Sequence, residues 1–529
     1  MNTPTLIQAL LNPQIYPERI DTVELIETHI SWVLLAGRHA YKIKKPVDFG
    51  FLDFSTLEKR HFYCLEEVRL NRRLAEVLYL DVIPITGSDR LPQFGGPGTV
   101  IEYAVKMQRF QPGRLLSECA EKGLLGTSEI DQIAGLMSRF HQTADVAAPS
   151  SPYGKAEDIK YWAEDNFNAV IPLLNNDKAL QRVRRIAQWS RNEGLQKSAI
   201  MRKRKQQGFI REGHGDLHLA NMTLIDGRVT VFDCLEFNPQ LRWIDVINDL
   251  AFVIMDLACR NLAPYGYRLL NGYLQQTGDY AGLGLLRYYL VYRAMVRAKV
   301  ALLRARQTSD SSESGYGEYA GYISLAEDYI RPLRPRLIIT HGVSGSGKSF
   351  FAGALAESLG AIQLRSDVER KRLFGFKPLE DSRAKGIDIY TPEAGRKTFR
   401  RLAELAESIL GAGFTVIVDA TFIRAGQRSD FYRIAQACNV PFLILDFRAS
   451  EPELQRRLAV RQRSGNDASE ATENIMRQQL QAFEPLTDEE KKRALTVDTE
   501  NEKALALLLA ALVEKRDGQG NHEAEKTAR

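Results

Sequence analysis

The hydrophobic and polar positions in the first part of the chain change from the period of strands to the period of helices. Short apolar runs with alternating polar positions predict strands at 30–35, 40–44, 82–85 and 99–107. Helical spacing begins at Leu57, for which Ser55 or Thr56 is the expected cap. The pattern is helical from 124 to about 200, and again from 244 to about 330. We therefore expect a strand-rich small lobe at about 1–110 and a helical large lobe at about 111–333.

The pattern changes again after the proline-containing segment 331–335, which interrupts the helical spacing. Beyond it, short apolar runs alternate with helical stretches, as expected of an α/β domain with a parallel sheet. The predicted strands are 336–341, 361–366, 415–419 and 441–446. We therefore expect a second domain at 334–515, and the polar, aperiodic residues 516–529 predict a disordered tail.

Composition narrows the class of protein. The 529 residues would fill about three domains of average size, or two large ones. A formal charge of +5 is too small to indicate nucleic acid or a membrane as the partner. The five cysteines form no CxxC pair. The sequence shows no signal peptide, and it has no apolar run of the ~20 residues that span a bilayer. We therefore expect a reduced, cytoplasmic protein with no membrane partner.

The segment Gly342–Ser349 carries the clearest chemistry. It has the spacing Gly, four residues, Gly-Lys-Ser, between a predicted strand and a predicted helix. Glycines let successive backbone N–H groups face a phosphate, the lysine reaches the outer phosphates, and the serine hydroxyl ligates Mg²⁺. The expected ATP-binding residues are Gly342, Ser344, Gly345, Ser346, Gly347, Lys348 and Ser349, of which Ser349 is also an expected Mg²⁺ ligand. The competing interpretation is a glycine-rich turn with no ligand.

A second motif lies at 214–221, where His214-Gly215-Asp216 is followed after four residues by Asn221. A pair of short, hairpin-like strands comes next and ends at Asp233. Phosphoryl transfer needs a carboxylate that orients the acceptor hydroxyl and oxygen ligands for Mg²⁺, and these side chains supply both. The spacing matches the layout of the protein-kinase catalytic loop and its later aspartate.

These residues resemble the signature of the aminoglycoside phosphotransferase family, which has a bilobal, protein-kinase-like α+β fold, over about 30–330. The resemblance implies that Asp216 is the catalytic base and that Asn221 and Asp233 bind Mg²⁺. It also implies that His214 is a structural member of the loop. Asp249, in a segment similar to the family's Asp-x-x-x-Asp-Leu-Ala, is expected to be a structural anchor.

A kinase-like small lobe also needs a lysine on a strand, paired with a glutamate on the next helix. Lys42 and Lys44 share one face of their strand, because strand side chains alternate. Lys42 is preferred for its Ala-x-Lys spacing and Lys44 is the alternative, although either could be an exposed strand residue. Glu67 is the preferred partner, with Glu66 as the alternative. No Gly-x-Gly-x-x-Gly precedes the strand, so the loop over the phosphates must be of another kind.

In the second part, Asp367 and Asp419 each follow a predicted strand, at the edge where open α/β sheets bind ligands. Asp419 is suited to Mg²⁺, whereas Asp367 could orient or deprotonate an acceptor hydroxyl, with Arg370 holding the acceptor or a phosphate. The alternative for Asp367 is a helix cap. Arg457 and Arg461 lie one turn apart and could form a lid that closes on the phosphoryl group, or a solvated helix face.

These features resemble the small P-loop kinases, including gluconate kinase, polynucleotide 5′-kinase and zeta-toxin-like enzymes, over about 336–513. The resemblance implies Asp367 and Arg370 as the acceptor motif and Arg457 to Arg461 as the lid. The order of the two parts resembles a family of bacterial proteins described as bifunctional phosphotransferase and ATP-binding proteins.

We therefore predict an ATP-dependent phosphotransferase with two ATP and Mg²⁺ sites, each acting on a hydroxyl of a small molecule. One alternative is that the second part is a nucleic-acid 5′-hydroxyl kinase, with the basic run 202–205 as a phosphate contact. That run is interpreted more simply as a solvated helix end, so nucleic acid is not favoured. The other alternative is that one part binds ATP as a switch for the other. The sequence does not indicate the acceptor or the oligomeric state.

Overall fold

The computed structural model describes residues 3–50, 52–307, 313–464 and 467–512, which form two compact units. The first unit comprises the residues up to Arg260 together with Tyr288–Tyr329. The second comprises Asn261–Arg287 together with the residues from Ile330 onward. The predicted tail at 516–529 lies outside the described residues.

The first unit begins with a six-stranded antiparallel sheet in the order β1-β2-β3-β6-β4-β5. Its strands are β1 (Val23–Glu27), β2 (Ser31–Ala36), β3 (His39–Lys44), β4 (Tyr79–Ser88), β5 (Leu91–Phe94) and β6 (Val100–Gln108). The helices of this lobe are α1 (Thr5–Leu10) and α2 (Leu57–Ala75). The predicted hairpin is present as β2 and β3, and its turn contains Gly37 with φ of 57°, a conformation that favours glycine.

The helix α2 begins where the sequence pattern indicated. Of the two expected caps, Thr56 is the one used, because its side chain accepts the backbone N–H of Lys59. Glu58 in the first turn adds a favourable charge near the positive end of the helix dipole. The side chain of Glu67 is completely buried, so α2 carries a carboxylate into the interior of the unit.

The following part of the chain is mainly helical. Its helices are α3 (Leu116–Glu121), α4 (Thr127–Thr143), α5 (Ala156–Val170), α6 (Asp177–Gln206), α7 (Pro239–Arg242), α8 (Val246–Cys259), α9 (Ala263–Thr277), α10 (Leu283–Gln307) and α11 (Glu313–Ile330). Two short antiparallel pairs join β7 (Ile210–Glu212) to β10 (Trp243–Asp245) and β8 (Met222–Ile225) to β9 (Arg228–Val231). Among the described residues, no helix combines the length and apolar character needed to cross a membrane. The predicted α+β class, with a strand-rich part followed by a mainly helical part, is therefore confirmed for the first unit.

The second unit is built on a five-stranded sheet in the order β12-β13-β11-β14-β15, in which every pair is parallel. Its strands are β11 (Leu337–His341), β12 (Ile362–Arg365), β13 (Val416–Asp419), β14 (Phe442–Arg448) and β15 (Ala494–Asp498). Its helices after β11 are α12 (Lys348–Leu359), α13 (Ser366–Leu373), α14 (Pro392–Gly411), α15 (Ala425–Ala437), α16 (Glu451–Ser464), α17 (Glu473–Gln481) and α18 (Asp488–Lys491), and residues 504–512 are also helical. The predicted P-loop α/β class is confirmed, although the sequence did not indicate β15.

The segment 261–287 differs from its expected position. The sequence assigned it to a first domain at 1–333, whereas in the structure it packs within the second unit. In α9, Arg268 Nη1 lies 2.8 Å from Glu357 Oε1 of α12, and the Tyr267 ring lies against Gly360. Helical periodicity shows that α9 forms, but it does not show which unit α9 covers.

Candidate active sites

The loop 213–221 joins β7 to β8 and is held by Asp249 of α8. The two carboxylate oxygens of Asp249 accept the backbone N–H groups of His214 at 2.7 Å and Gly215 at 3.0 Å. Burial would raise the pKa of Asp249, but the ring of His141, 3.3 Å away, lowers it to about 2. The loop is therefore bound to an ionised carboxylate, which fits the anchoring role expected for Asp249.

Asp216 and Asn221 lie together in this loop. The amide nitrogen of Asn221 donates to the backbone oxygen of Asp216 at 3.0 Å and to its carboxylate Oδ2 at 3.1 Å. The amide oxygen takes no part in these bonds, so it can serve as a metal ligand. Burial would raise the pKa of Asp216, but His218 at 3.4 Å and Arg297 of α10 hold it well below its usual value. An ionised carboxylate that is 39% exposed can orient an acceptor hydroxyl and take its proton.

The two candidate lysines of β3 share one glutamate but differ in their other partner. Glu67 Oε1 lies 2.8 Å from Lys42 Nζ, and Glu67 Oε2 lies 2.6 Å from Lys44 Nζ. Lys42 also lies 2.6 Å from Asp233 Oδ1, whereas Lys44 is bonded to Glu236 and is completely buried. Burial would raise the pKa of Glu67, but the two lysines lower it to about 2. Lys42 is therefore the lysine that meets the aspartate expected to bind metal.

The alternative glutamate, Glu66, faces other residues. Its carboxylate lies 2.8 Å from Arg69 Nε and 3.2 Å from Arg242 Nη2. Glu212 joins the same group, because its carboxylate accepts bonds from Arg69, Arg73 and Arg242. Glu66 thus belongs to an ion-pair network that ties α2 to β7, and it does not approach the lysines of β3.

Asp233 adopts an unusual backbone conformation immediately after β9. Its φ is 63°, in the left-handed region that is costly for most side chains and that clusters at functional sites. Its backbone N–H donates to the hydroxyl of Tyr79 at 3.2 Å, and its side chain is 40% exposed. The backbone therefore presents the carboxylate beside Lys42.

Sequence reasoning missed two charged residues at this site. Glu236 is buried against Lys44, and Arg297 influences the charge of Asp216 from α10. Glu236 comes three positions after Asp233, but nothing in that spacing separates it from an ordinary surface glutamate. Arg297 lies on a long helix far from the motif in the chain, so no local signal could have identified it.

Three glycines shape the loop between β11 and α12. Gly342, Gly345 and Gly347 have φ angles of 141°, 90° and 85°, which favour glycine. A Cβ atom at Gly342 would lie 2.7 Å from the carbonyl oxygen of Phe447, and one at Gly345 would lie 3.0 Å from that of Leu454. Side chains at these two positions would therefore clash with the backbone of β14 and α16, so the loop needs glycine there. A glycine-rich turn of this kind can direct backbone N–H groups at a phosphate.

The backbone N–H groups of Ser344 and Ser346 and the amine of Lys348 each have a hydrogen-bond acceptor within the second unit. The backbone N–H of Ser344 donates to Gln479 Oε1 at 2.8 Å, and that of Ser346 donates to the oxygen of Val343 at 3.2 Å. Lys348 Nζ donates to the same Val343 oxygen at 2.7 Å. Burial lowers the pKa of Lys348 to about 8. The lysine therefore lies along the loop, where its amine can serve phosphate oxygens.

Ser349 and Asp419 lie side by side. The Ser349 hydroxyl hydrogen-bonds to the carboxylate of Asp419, which ends β13 and is buried. Burial raises the pKa of Asp419. No three His, Cys, Asp or Glu side chains gather as a metal-binding group within the described parts of the chain. Mg²⁺ commonly takes only one or two carboxylates and completes its shell with phosphate oxygens and water, so this hydroxyl and carboxylate fit it.

Asp367 is the second residue of α13, so it does not occupy the position that caps the helix. Its Oδ1 lies 2.6 Å from Arg370 Nη1, and the Arg370 guanidinium lies over the ring of Tyr390 at 4.7 Å. Burial would raise the pKa of Asp367, but Arg370 lowers it. Asp367 and Arg370, the two residues predicted to handle the acceptor, thus lie together as an ionised carboxylate in contact with a guanidinium.

The two arginines of α16 have different neighbours. Arg457 donates to the hydroxyl of Thr499 at 2.8 Å and to its backbone oxygen at 3.0 Å. Arg461 donates to the backbone oxygen of Ala471 at 3.0 Å, and its charge contributes to the lowered pKa of Lys348. Part of the loop predicted after them, residues 465–466, lies outside the described residues. Arg461 therefore acts on the charge of Lys348, whereas Arg457 is bound to the end of the sheet and also donates to the Gly345 oxygen of the loop at 3.4 Å.

The basic run 202–205 is only partly solvated. Arg204 is buried and forms two bonds with Asp245, Nε to Oδ2 at 2.7 Å and Nη2 to Oδ1 at 2.8 Å. Lys205 donates to the backbone oxygen of Ser151 at 2.7 Å. The interpretation of this run as a solvated helix end is therefore wrong for these two residues. The same contacts make them unavailable to nucleic-acid phosphates.

Comparisons with known proteins match both parts of the chain. Residues 337–486 match the family model described as AAA domain. Uncharacterized proteins from Mycobacterium tuberculosis and Mycobacterium bovis are each 31% identical over 438 residues, which is 81% of this chain and 84% of theirs. That aligned length exceeds the size of either compact unit, so the similarity extends over both.

Two solved structures are similar to separate portions of the chain. A gluconokinase from Sinorhizobium meliloti is 22% identical, with 35% of this chain and 97% of the gluconokinase covered and a TM-score of 0.26. A choline/ethanolamine kinase family protein from Mesorhizobium loti is 11% identical, with 62% of this chain and 93% of that protein covered and a TM-score of 0.39.

Proposed function

The chain belongs to the family of its mycobacterial relatives. Because it joins a strand-and-helix unit to a P-loop unit, we propose that it is an ATP-dependent phosphotransferase with two active sites. Each site transfers a phosphoryl group to a hydroxyl of a small molecule. The observation that carries the proposal is the position of Lys42 Nζ, 2.8 Å from Glu67 Oε1 and 2.6 Å from Asp233 Oδ1. A lysine paired with a helix glutamate, beside an aspartate able to bind metal, is what phosphoryl transfer on a kinase-like fold requires.

ATP bound with Mg²⁺ supplies the phosphoryl group and offsets the charge that develops as the group moves. In the first unit, Lys42 binds phosphate oxygens, and Asn221 and Asp233 supply the oxygen ligands for the metal. Asp216 accepts a hydrogen bond from the acceptor hydroxyl, orients it and receives its proton. The low pKa of Asp216 keeps it ionised for this role at neutral pH.

In the second unit, the backbone of Gly342–Ser349 and the amine of Lys348 bind phosphates, while Ser349 and Asp419 hold the metal. Asp367 orients the acceptor hydroxyl, and Arg370 fixes that carboxylate from 2.6 Å away. Arg461 and Arg457 add positive charge from α16, which would stabilise the negative charge of the transferred group. The low pKa of Asp367 again keeps the carboxylate ionised.

The proposal is tested by incubating the purified chain with isotopically labelled ATP, Mg²⁺ and a small-molecule extract, followed by mass spectrometry of the products. We expect Asp216→Asn and Lys348→Ala each to remove a different set of phosphorylated metabolites. The matched control is Asp177→Asn, which changes an exposed carboxylate in the first turn of α6 and should leave every product in place.

Other outcomes separate the remaining interpretations. Loss of the same products in both variants would indicate one catalytic unit with the other acting as a switch. Labelling of an oligonucleotide 5′ end that disappears in Lys348→Ala would identify the second unit as a nucleic-acid kinase. An absence of transfer to any acceptor would contradict the proposal.

A further inference from the structure

Gln363 of β12 lies beside the second site but belongs to none of its motifs. Its side-chain nitrogen donates to Asp419 Oδ2 at 3.1 Å and to the backbone oxygen of Ser349 at 3.2 Å. The residue is only 6% exposed. Its amide therefore joins the carboxylate at the end of β13 to the first turn of α12.

The backbone of Gln363 is fixed in turn by Asn271 of α9. Asn271 Oδ1 accepts the N–H of Gln363 at 2.7 Å, and Asn271 Nδ2 donates to the oxygen of Ala361 at 3.0 Å. β12 is the edge strand of the sheet, and these are the outward N–H and C=O groups that a further strand would bond. The asparagine amide thus supplies one acceptor and one donor in place of a neighbouring strand.

We propose that Gln363 is a positioning residue for Asp419, and that Asn271 holds Gln363 in place, so that α9 sets the Mg²⁺ affinity of the second site. The inference rests on the proposed function, in which Asp419 binds the metal. A glutamine suits this task because its neutral N–H fixes Oδ2, which Arg365 Nε also approaches at 3.7 Å, without adding a further positive charge beside the metal. Groups that orient metal ligands in this way typically change metal affinity by about tenfold to a hundredfold.

A purely structural role makes a different prediction. If Gln363 only filled space beneath the loop, an apolar side chain of similar length would change stability and leave the dependence on Mg²⁺ unaltered. The bonds on Asp419 and Ser349 are lost in Gln363→Met, although most of the side-chain volume remains. That variant therefore separates packing from positioning.

The experiment measures binding of a fluorescent ATP analogue to the full chain as the Mg²⁺ concentration is varied. The part of the signal that Lys348→Ala abolishes is assigned to the second site. For Gln363→Met, we expect the Mg²⁺ concentration at half-saturation to rise about tenfold or more, while binding without Mg²⁺ stays nearly unchanged. Asn271→Ala should also raise the Mg²⁺ concentration at half-saturation, by a smaller factor than Gln363→Met.

The matched control is Arg268→Ala, which removes a different contact of α9, the bond to Glu357 of α12 at 2.8 Å. It should leave the Mg²⁺ dependence as it is in the unmodified chain. An equal shift in Arg268→Ala and Asn271→Ala would show that general docking of α9 is responsible and would overturn the assignment to Asn271.

The outcomes distinguish this inference from the proposed function. If Lys348→Ala removes no binding, the second site fails as an ATP site. If Lys348-dependent binding is present but Gln363→Met leaves its Mg²⁺ dependence unchanged, only the positioning role is wrong. Should circular dichroism show that Gln363→Met does not fold, Asn271→Ala decides the question by the same titration, because it retains the Gln363 side chain.

Discussion

Lys42 Nζ lies 2.6 Å from Asp233 Oδ1, although 191 positions separate the two residues in the chain. Lys44, on the same face of β3, has no such access, because it is enclosed by Glu67 and Glu236. The side chain of Lys42 is 14% exposed, whereas that of Lys44 is completely buried. Two lysines with the same local sequence pattern therefore have different surroundings, which variants of each can compare.

Replacing Lys42 with methionine should remove activity at the first site with little loss of stability. Glu67 keeps Lys44 as a partner, whereas a positive charge directed at phosphate oxygens is lost. We expect the Asp216-dependent products to fall about a hundredfold or more in rate, as for other single charge-stabilising donors. The rate is measured by mass spectrometry once a product has been identified.

The paired variant, Lys44→Met, should lower the stability of the first unit and leave activity at the first site largely in place. It leaves buried Glu236 without its lysine, and breaking a buried ion pair costs about 3–5 kcal/mol. Urea unfolding followed by tryptophan fluorescence reports this cost selectively, since all four tryptophans precede Arg260 and lie in the first unit. Retained activity in Lys42→Met, together with unchanged stability in Lys44→Met, would reverse the assignment.

Asp249→Asn should weaken the catalytic step more than ATP binding. The carboxylate accepts two loop N–H groups, and an asparagine offers only one oxygen, so one buried N–H loses its acceptor at a cost of about 1–3 kcal/mol. Lys42 and Asp233 do not contact Asp249, so the KM for ATP should change little while kcat falls. Steady-state kinetics on the Asp216-dependent product separate the two constants, and a rise in KM alone would contradict the anchoring role.

ATP binding at the second site should weaken in alkaline solution. Burial lowers the pKa of Lys348 to about 8, so its charged form is present below that pH and is lost as the pH rises through it. Between pH values of about 7 and about 9, affinity should fall by roughly tenfold, in proportion to the protonated fraction. Lys348→Arg stays charged throughout, so binding of the fluorescent analogue to this variant should show no such decrease. A parallel decrease in both proteins would assign the effect to another group.

Breaking the buried pair of Arg204 and Asp245 should destabilise the first unit strongly. Asp245→Ala leaves the guanidinium buried without its two bonds and should lower the free energy of unfolding by about 3–5 kcal/mol. The more exposed pair Arg191 and Glu164 is the control, and Glu164→Ala should cost less than about 1 kcal/mol. Tryptophan-detected urea unfolding measures both, and equal costs would contradict the structural role of this basic run.

The second unit should depend on residues 261–287 for its integrity. A fragment starting at 330 lacks Asn271, which leaves the N–H and C=O groups of β12 exposed as an edge that favours aggregation. Joining 261–287 to the fragment through a flexible linker should restore a monomer with a higher melting temperature. Light scattering measures the aggregation of the two fragments, and thermal unfolding measures their melting temperatures. Equal aggregation and equal melting temperatures would show that α9 is dispensable.

Much of the fold, and the grouping of residues at both candidate sites, could be predicted from sequence because their signals are local. The glycines, lysine and serine of 342–349 act through backbone conformations and side chains that are neighbours in the chain. The same is true of Asp216 and Asn221, which lie in one loop and are bonded directly to each other. The candidate ligands and bases therefore occur in the sequence as groups with recognisable spacing.

Tertiary structure decided the features that depend on distant neighbours. It placed Lys42 rather than Lys44 beside Asp233, buried Glu236 and half of the basic run, and packed α9 on the edge of the second sheet. Periodicity and spacing describe only which face of an element a residue occupies. What lies opposite that face depends on how remote segments pack, and no pattern within either segment contains that information.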